Sequence, residues 1–167
     1  IYLKDLVEHG KIRREDVLEE ILNYLASQIS SLTNSSNIAN SINVKTSSKI
    51  DAGLITRYLN QLQDAFLISE AKRYDIKGKT YFDYPNKYYY TDIGLRNSRL
   101  NYRQNDPGHI MENIIYNELR YRCYSVDVGI VEFREKTKSG KDIRKQVEID
   151  FVANQGSKRY YIQFAYN

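Results

Sequence analysis

The stretch AGLITRYLNQLQDAFLI, residues 52–68, decides how this chain reads. Leu54, Ile55, Tyr58, Leu59, Leu62 and Phe66 recur near 100° per residue and make one apolar stripe, which predicts a helix over Asp51–Gln63. Its other side carries Gly53, Thr56, Arg57, Asn60, Gln61 and Asp64, short polar groups with one guanidinium, a mixture suited to base edges. Upstream, Val17, Leu18, Ile21, Leu22, Leu25 and Ile29 line a first helix, with Glu15, Glu19 and Glu20 near the end where the helix dipole favours anions. Ser30–Ser36 reads as a turn whose hydroxyls cap a short second helix through Ile38, Ala39 and Ile42. Downstream, Leu67–Tyr74 and Lys87–Thr91 are β-branched or aromatic runs on either side of Asp75–Asn86, which holds Gly78 and Pro85 and predicts a hairpin with a long basic tip. Three helices followed by a hairpin is the winged helix-turn-helix order, in which the third helix enters the major groove and the wing touches the backbone.

Asn97–Pro107 is polar and aperiodic and reads as a linker. After it, Gly108–Arg122 suggests a helix with its stripe at Ile110, Met111, Ile114 and Ile115, and strands are expected at Ser125–Arg134, Gln146–Asn154 and Arg159–Tyr166. The expected class is α+β or α/β, with one domain at 1–104 and a second at 105–167, and no internal repeat.

With 41% hydrophobic and 28% charged residues, the chain is neither disordered nor fibrous. No apolar run approaches the roughly 18 residues a bilayer requires, and no leader opens the chain. One cysteine, Cys123, and two histidines exclude an internal disulfide and a zinc cluster, so a reducing cytoplasm is expected and a membrane is not. The start at Ile1 and the strand-like run up to Asn167 read as cuts from a larger protein. The overall charge is only +4, but residues 45–104 hold eleven basic and six acidic side chains, net +5, and a local excess is what attracts phosphate.

Gly78-Lys79-Thr80 looks like the end of a phosphate-binding loop, yet Arg73 stands where that loop needs its first glycine, so no nucleotide chemistry is expected there. Lys72, Arg73, Lys77, Lys79 and Lys87 alternate with Tyr74, Tyr81, Phe82, Tyr84, Tyr88, Tyr89 and Tyr90. This mixture either holds nucleic acid or is cross-strand packing with lysines guarding a sheet edge. Glu148 and Asp150 share one strand face and, as paired carboxylates, can hold a divalent cation; Gln163 on the next strand can lie beside Asp150. On the preceding helix Glu112 lies at the edge of the apolar stripe and Glu118 nearer its middle.

Gly108-His109-Ile110-Met111-Glu112, Glu148-Ile149-Asp150 and Ile162-Gln163-Phe164-Ala165 resemble the PD-(D/E)XK, or restriction-endonuclease-like, superfamily. More closely, Tyr2-Leu3-Lys4-Asp5, Asp64-Ala65-Phe66-Leu67-Ile68, Tyr89-Tyr90-Thr91-Asp92-Ile93-Gly94-Leu95 and Met111-Glu112-Asn113 resemble the C-terminal region of predicted prokaryotic P-loop (AAA-type) ATPases. That resemblance implies a winged helix followed by a truncated restriction-endonuclease-like α/β domain, with ATP bound only in an upstream ATPase domain. It makes Glu112 the helix carboxylate, Asp150, with Glu148 nearby, the metal-binding group, and Gln163 the Glu or Gln of the next strand. The family's lysine is absent, since Ala165 stands in its place, and loss of such a cation costs on the order of 10²–10³ in rate. Gln163 brings no negative charge either, which weakens any hold on Mg²⁺.

The expectation is therefore a DNA-binding region of an ATPase with an inactive nuclease-like domain. Arg57, Asn60 and Gln61 would approach bases, and Lys77 and Lys79 would meet phosphates. DNA and the upstream ATPase domain are the expected partners, and Mg²⁺ enters only if the carboxylate site is active. One alternative is a divalent-metal nuclease using Asp150, Glu148, Glu112 and Gln163 with a cation from elsewhere. Another is a protein-interaction module docking on the ATPase domain or a partner.

Overall fold

The structure is a computed structural model and describes residues 7, 8, 10, 12–103, 106–136 and 142–165. Tyr2–Asp5, Tyr166 at the end of the last expected strand, and Gln104 and Asn105 at the expected domain boundary lie outside the described residues.

The first half runs α1 (Glu15–Ser27), β1 (Leu32–Thr33), α2 (Ser35–Thr46), α3 (Ala52–Asp64), β2 (Ile68–Ala71), β3 (Arg73–Asp75), β4 (Thr80–Tyr81), β5 (Asn86–Tyr90) and α4 (Ile93–Arg99). The second half adds α5 (Pro107–Tyr121), β6 (Ser125–Lys136), β7 (Asp142–Gln155) and β8 (Lys158–Ile162). Asn34 caps α2 by accepting from the Asn37 N–H at 2.8 Å, and Asp51 caps α3 by accepting from Leu54 N–H at 3.0 Å, so α2 and α3 meet across a short turn. The stripes of α1, α2 and α3 bury Leu18, Ile21, Ile38, Ile42, Ile55 and Leu59 in one core with Tyr88 and Tyr90 of β5.

Two sheets follow. The first is antiparallel in the order β1-β5-β2, with Thr33 opposite Asn86 and Ile68 opposite Tyr90. The second sheet has the order β4-β3-β6-β7-β8, and β3 lies parallel to β6, with Tyr74 opposite Gly129. Gly129 follows a shift of register in β6, and a Cβ there would come within 2.8 Å of the Val152 side chain, so glycine allows the close approach. The second core joins Ala71 and Tyr89 of the first half to Tyr116, Val128 and Phe151. The Tyr89 and Tyr116 rings stack at 4.1 Å.

The observed arrangement departs from the expected one in four places. The hairpin tip is not a free loop: β3 and β4 leave the β2–β5 hairpin and extend the second sheet, so this sheet draws strands from both sides of residue 104. Phe66 is not on the α3 stripe but 80% exposed, because the helix closes with Phe66 in the left-handed region, its N–H bonded to Gln63 O and the Leu67 N–H to Leu62 O. Asn97–Pro107 is not all linker: Asn97–Arg99 end α4, whose Arg96 is fully buried and donates from Nε to Ala26 O near the end of α1 at 2.9 Å. In α5 the buried side chains are Glu112, Asn113 and Tyr116, while Met111 and Ile114 are exposed, as is Glu118, which pairs with Arg122.

The α5 difference has a plain cause. β1 covers only the first two residues of β5, leaving the Tyr90 backbone on an open edge. Asn113 closes that edge, donating from Nδ2 to Tyr90 O at 2.7 Å and accepting from Tyr90 N–H at 2.8 Å. No helix of the described residues is long and apolar enough to cross a membrane.

Candidate functional site

Pleating puts Gln146, Glu148 and Asp150 on one face of β7. Gln163, just past β8, donates from Nε2 to Asp150 Oδ2 at 2.8 Å, and the Phe164 N–H donates to the same oxygen at 2.7 Å. Glu112 of α5 is held elsewhere, its Oε1 accepting from the Tyr89 hydroxyl at 2.8 Å. Of the four residues expected to gather, Asp150 and Gln163 meet directly and Glu112 and Glu148 meet only through a shared cation, and among the described residues the three carboxylates do not form one metal-holding group.

A cation reaches Glu112 and Glu148 from β5. Lys87 Nζ stands 3.0 Å from Glu112 Oε1 and 2.6 Å from Glu148 Oε1, and Lys87 is only 5% exposed. Of the two readings of the basic and aromatic mixture, packing rather than nucleic-acid contact describes Lys87. Lys87 and Tyr89 are two apart on a strand, so both face α5, and the side chain that looked like part of a basic surface fills a polar gap between the two halves. Burial pushes the Lys87 ammonium down, but Glu112 and Glu148 outweigh burial and hold its pKa above the ordinary 10.5. The Tyr89 hydroxyl is pushed well above its ordinary value by burial first and by Glu112 second, so it stays a donor.

Arg73 is also buried, at 8% exposure, with Nη2 on Gln146 Oε1 at 3.0 Å and its guanidinium 4.7 Å from the centre of the Phe82 ring. Packing likewise describes Arg73 within that mixture. Among the described residues no group of three or more His, Cys, Asp or Glu is placed to hold a metal ion. An ammonium stands between Glu112 and Glu148, where a divalent cation would have to displace it, and Asp150 accepts two hydrogen bonds through one oxygen. These residues as arranged do not fit Mg²⁺.

The polar side of α3 is divided rather than continuous. Arg57 is exposed and, with Gln61, lines a hollow against Gly10, Arg13 and Arg14; Gln61 Nε2 donates to Gly10 O at 2.7 Å and is held there. Thr56, Asn60 and Gln63 line a different hollow of about 320 Å³, closed on its other side by Tyr81, Phe82 and Tyr84. Of the expected base-contacting residues, Arg57 and Asn60 are therefore exposed and Gln61 is tied to the N-terminal segment. Lys77 and Lys79 are exposed in the turn between β3 and β4, with Lys77 Nζ on Glu132 O at 3.1 Å, so they ride on the second sheet rather than on a free wing tip.

The chain is 32% identical over 168 aligned positions to an "Uncharacterized protein" of Haemophilus influenzae, covering 99% of this chain and 38% of that protein. It is 29% identical over 166 positions to "Uncharacterized protein MJ1544" of Methanocaldococcus jannaschii, covering 99% of this chain and 34% of that one. The chain thus spans little more than a third of the length of these relatives. No solved structure matches it. A family model matches residues 1–106, which end where α5 begins, and with most of its length inside that match the chain belongs to the family described as Domain of unknown function (DUF8612).

Proposed function

We propose that this chain is the DNA-binding region of a larger, ATPase-type protein, and that its nuclease-like half is a scaffold without hydrolytic power. The observation that carries the proposal is the α2–α3 pair set on the β1-β5-β2 sheet, with Arg57 and Asn60 of α3 open to solvent. Relatives about three times as long leave room for a nucleotide-binding domain elsewhere in the chain, and ATP would be handled there. In the second half the carboxylates that would bind a metal are occupied by Lys87, Tyr89, Gln163 and the Phe164 N–H, which favours a supporting role over cleavage.

Fluorescence anisotropy with random duplex DNA across a salt series tests the reading. If about four phosphates are neutralised, log affinity falls against log salt with a slope near −3.6. Lys77→Ala/Lys79→Ala makes that slope shallower by roughly two, about one for each phosphate that no longer meets an ammonium. Affinity indifferent to salt rejects the proposal, and retained binding of the rest of the protein without duplex affinity favours a protein-interaction module instead.

The nuclease alternative gains one observation, the Lys87 ammonium beside Glu112 and Glu148. Its test is incubation of plasmid and branched DNA with Mg²⁺ or Mn²⁺. The expected result is no cleavage above that of the Asp150→Ala protein; cleavage by the unaltered chain that disappears in Asp150→Ala and in Lys87→Met would establish the alternative.

A further inference from the structure

We propose that the hollow between α3 and the segment joining β4 to β5 receives the base of an unpaired nucleotide in DNA. The inference rests on the DNA-binding reading and narrows its substrate from duplex in general to DNA with an unstacked base. About 320 Å³ is the size of a small-ligand site, and its two walls are of different chemistry. On one, Asn60 and Gln63 of α3 present side-chain amides that make no hydrogen bond among the described residues. On the other, Tyr81 and Tyr84 offer rings that are 57% and 59% exposed. The Tyr81 hydroxyl is spent on Asp127 at 3.1 Å, and its ring leans on Tyr74 at 5.2 Å, so this ring is held in place. Tyr84 makes no ring contact or hydrogen bond among the described residues.

Amides opposite an aromatic face are what an unstacked base uses, its edge paired and its plane stacked. Lys72, exposed at the rim, supplies a cation for the adjoining phosphate. The floor is preorganised: Glu70 Oε1 accepts from Asn86 Nδ2 and from the Tyr88 hydroxyl, both at 2.9 Å, so the walls rest on buried groups that already have partners. A paired base suits this place poorly. A recognition helix reads a duplex with side chains projecting freely into the major groove, whereas Asn60 and Gln63 line a hollow together with the rings of Tyr81 and Tyr84.

The test uses the whole chain and three labelled DNAs of one sequence: a fully paired duplex, the same duplex with a single-nucleotide bulge, and the single strand. The bulged duplex is expected to bind about 10-fold tighter than the paired one, within what one stacked base contributes. Tyr84→Ala is expected to abolish that preference and Tyr84→Phe, which keeps the ring, to retain it. Equal affinity for paired and bulged DNA, or a preference that survives in Tyr84→Ala, overturns the inference while leaving the DNA-binding reading in place. Binding to none of the three overturns both. A free deoxynucleoside monophosphate competing at micromolar concentration also overturns it, by assigning the hollow to a small metabolite rather than to a base in a polymer.

Discussion

Lys87→Met is expected to destabilise the protein by about 3–5 kcal/mol, because it removes one partner of a buried ionic cluster and leaves two carboxylates facing each other in a poorly solvated gap. Lys87 is 5% exposed and bridges Glu112, itself buried, and Glu148. Urea unfolding at neutral pH reads the effect; a loss below about 1 kcal/mol would mean that the ammonium is solvated and pairs weakly, as surface ions do. The companion Lys87→Met/Glu112→Gln/Glu148→Gln is expected to recover much of the loss, since the penalty is that of unpaired charge rather than of missing volume. The same cluster sets a pH dependence. The folded pKa of Lys87 is raised, so its contribution is complete below the unfolded value of about 10.5 and disappears as pH rises through the higher folded value. Stability near neutrality should therefore be insensitive to this group, and an alkaline decline present in the unaltered chain should be smaller in the triple variant. Because Lys87 belongs to β5 while Glu148 belongs to β7, the cluster also couples the two halves, and its loss should separate their unfolding transitions.

Asn113→Ala is expected to cost about 2–4 kcal/mol. Asn113 is fully buried and satisfies both the N–H and the C=O of Tyr90, and each orphaned buried backbone group costs roughly 1–3 kcal/mol. Asn117 Nδ2 also reaches Tyr90 O at 2.9 Å, so the carbonyl keeps one donor and the amide bears most of the loss. Native-state hydrogen exchange separates this from general loosening: protection of the Tyr90 amide should fall by more than that of Tyr89, whose backbone faces β2. Equal changes at the two amides would indicate global destabilisation only. Asn113→Asp should do no better, because it replaces the donor to Tyr90 O with a buried acceptor.

The first three helices were legible because their apolar residues repeat at 3.6, and that period survives wherever a helix packs one face on a core. β6, β7 and the start of β8 were legible from alternation and from the turn residues between them. Asp150 and Gln163 could be placed together since hairpin length is a local property. Other features were hidden for one reason. Lys87, Asn113 and Arg96 are polar residues buried against a partner 23 to 70 positions away, and no window along the chain contains both members. Read locally, a lysine among tyrosines suggests a basic surface, an asparagine in a helix suggests solvent, and a polar run beginning Asn-Ser-Arg suggests a linker. The apolar stripe expected on α5 failed in the same way: the open edge of β5 offers hydrogen bonds that Met111 and Ile114 cannot make, so the helix turns its polar residues inward.

What the amino-acid order determined by itself is the mixed α+β class, most of the elements and their approximate bounds, because each follows from short-range periodicity and capping. What only the tertiary structure decided is where the inserted strands go and which charges are spent. β3 finds a parallel partner in β6 some fifty-five residues later, which fixes residues 73–81 on the second sheet and puts Tyr81 and Tyr84 in the lining of one hollow with Asn60 and Gln63 of α3. Lys87 is drawn into the seam between the halves, since two glutamates from distant elements make the one environment in which its charge can be buried.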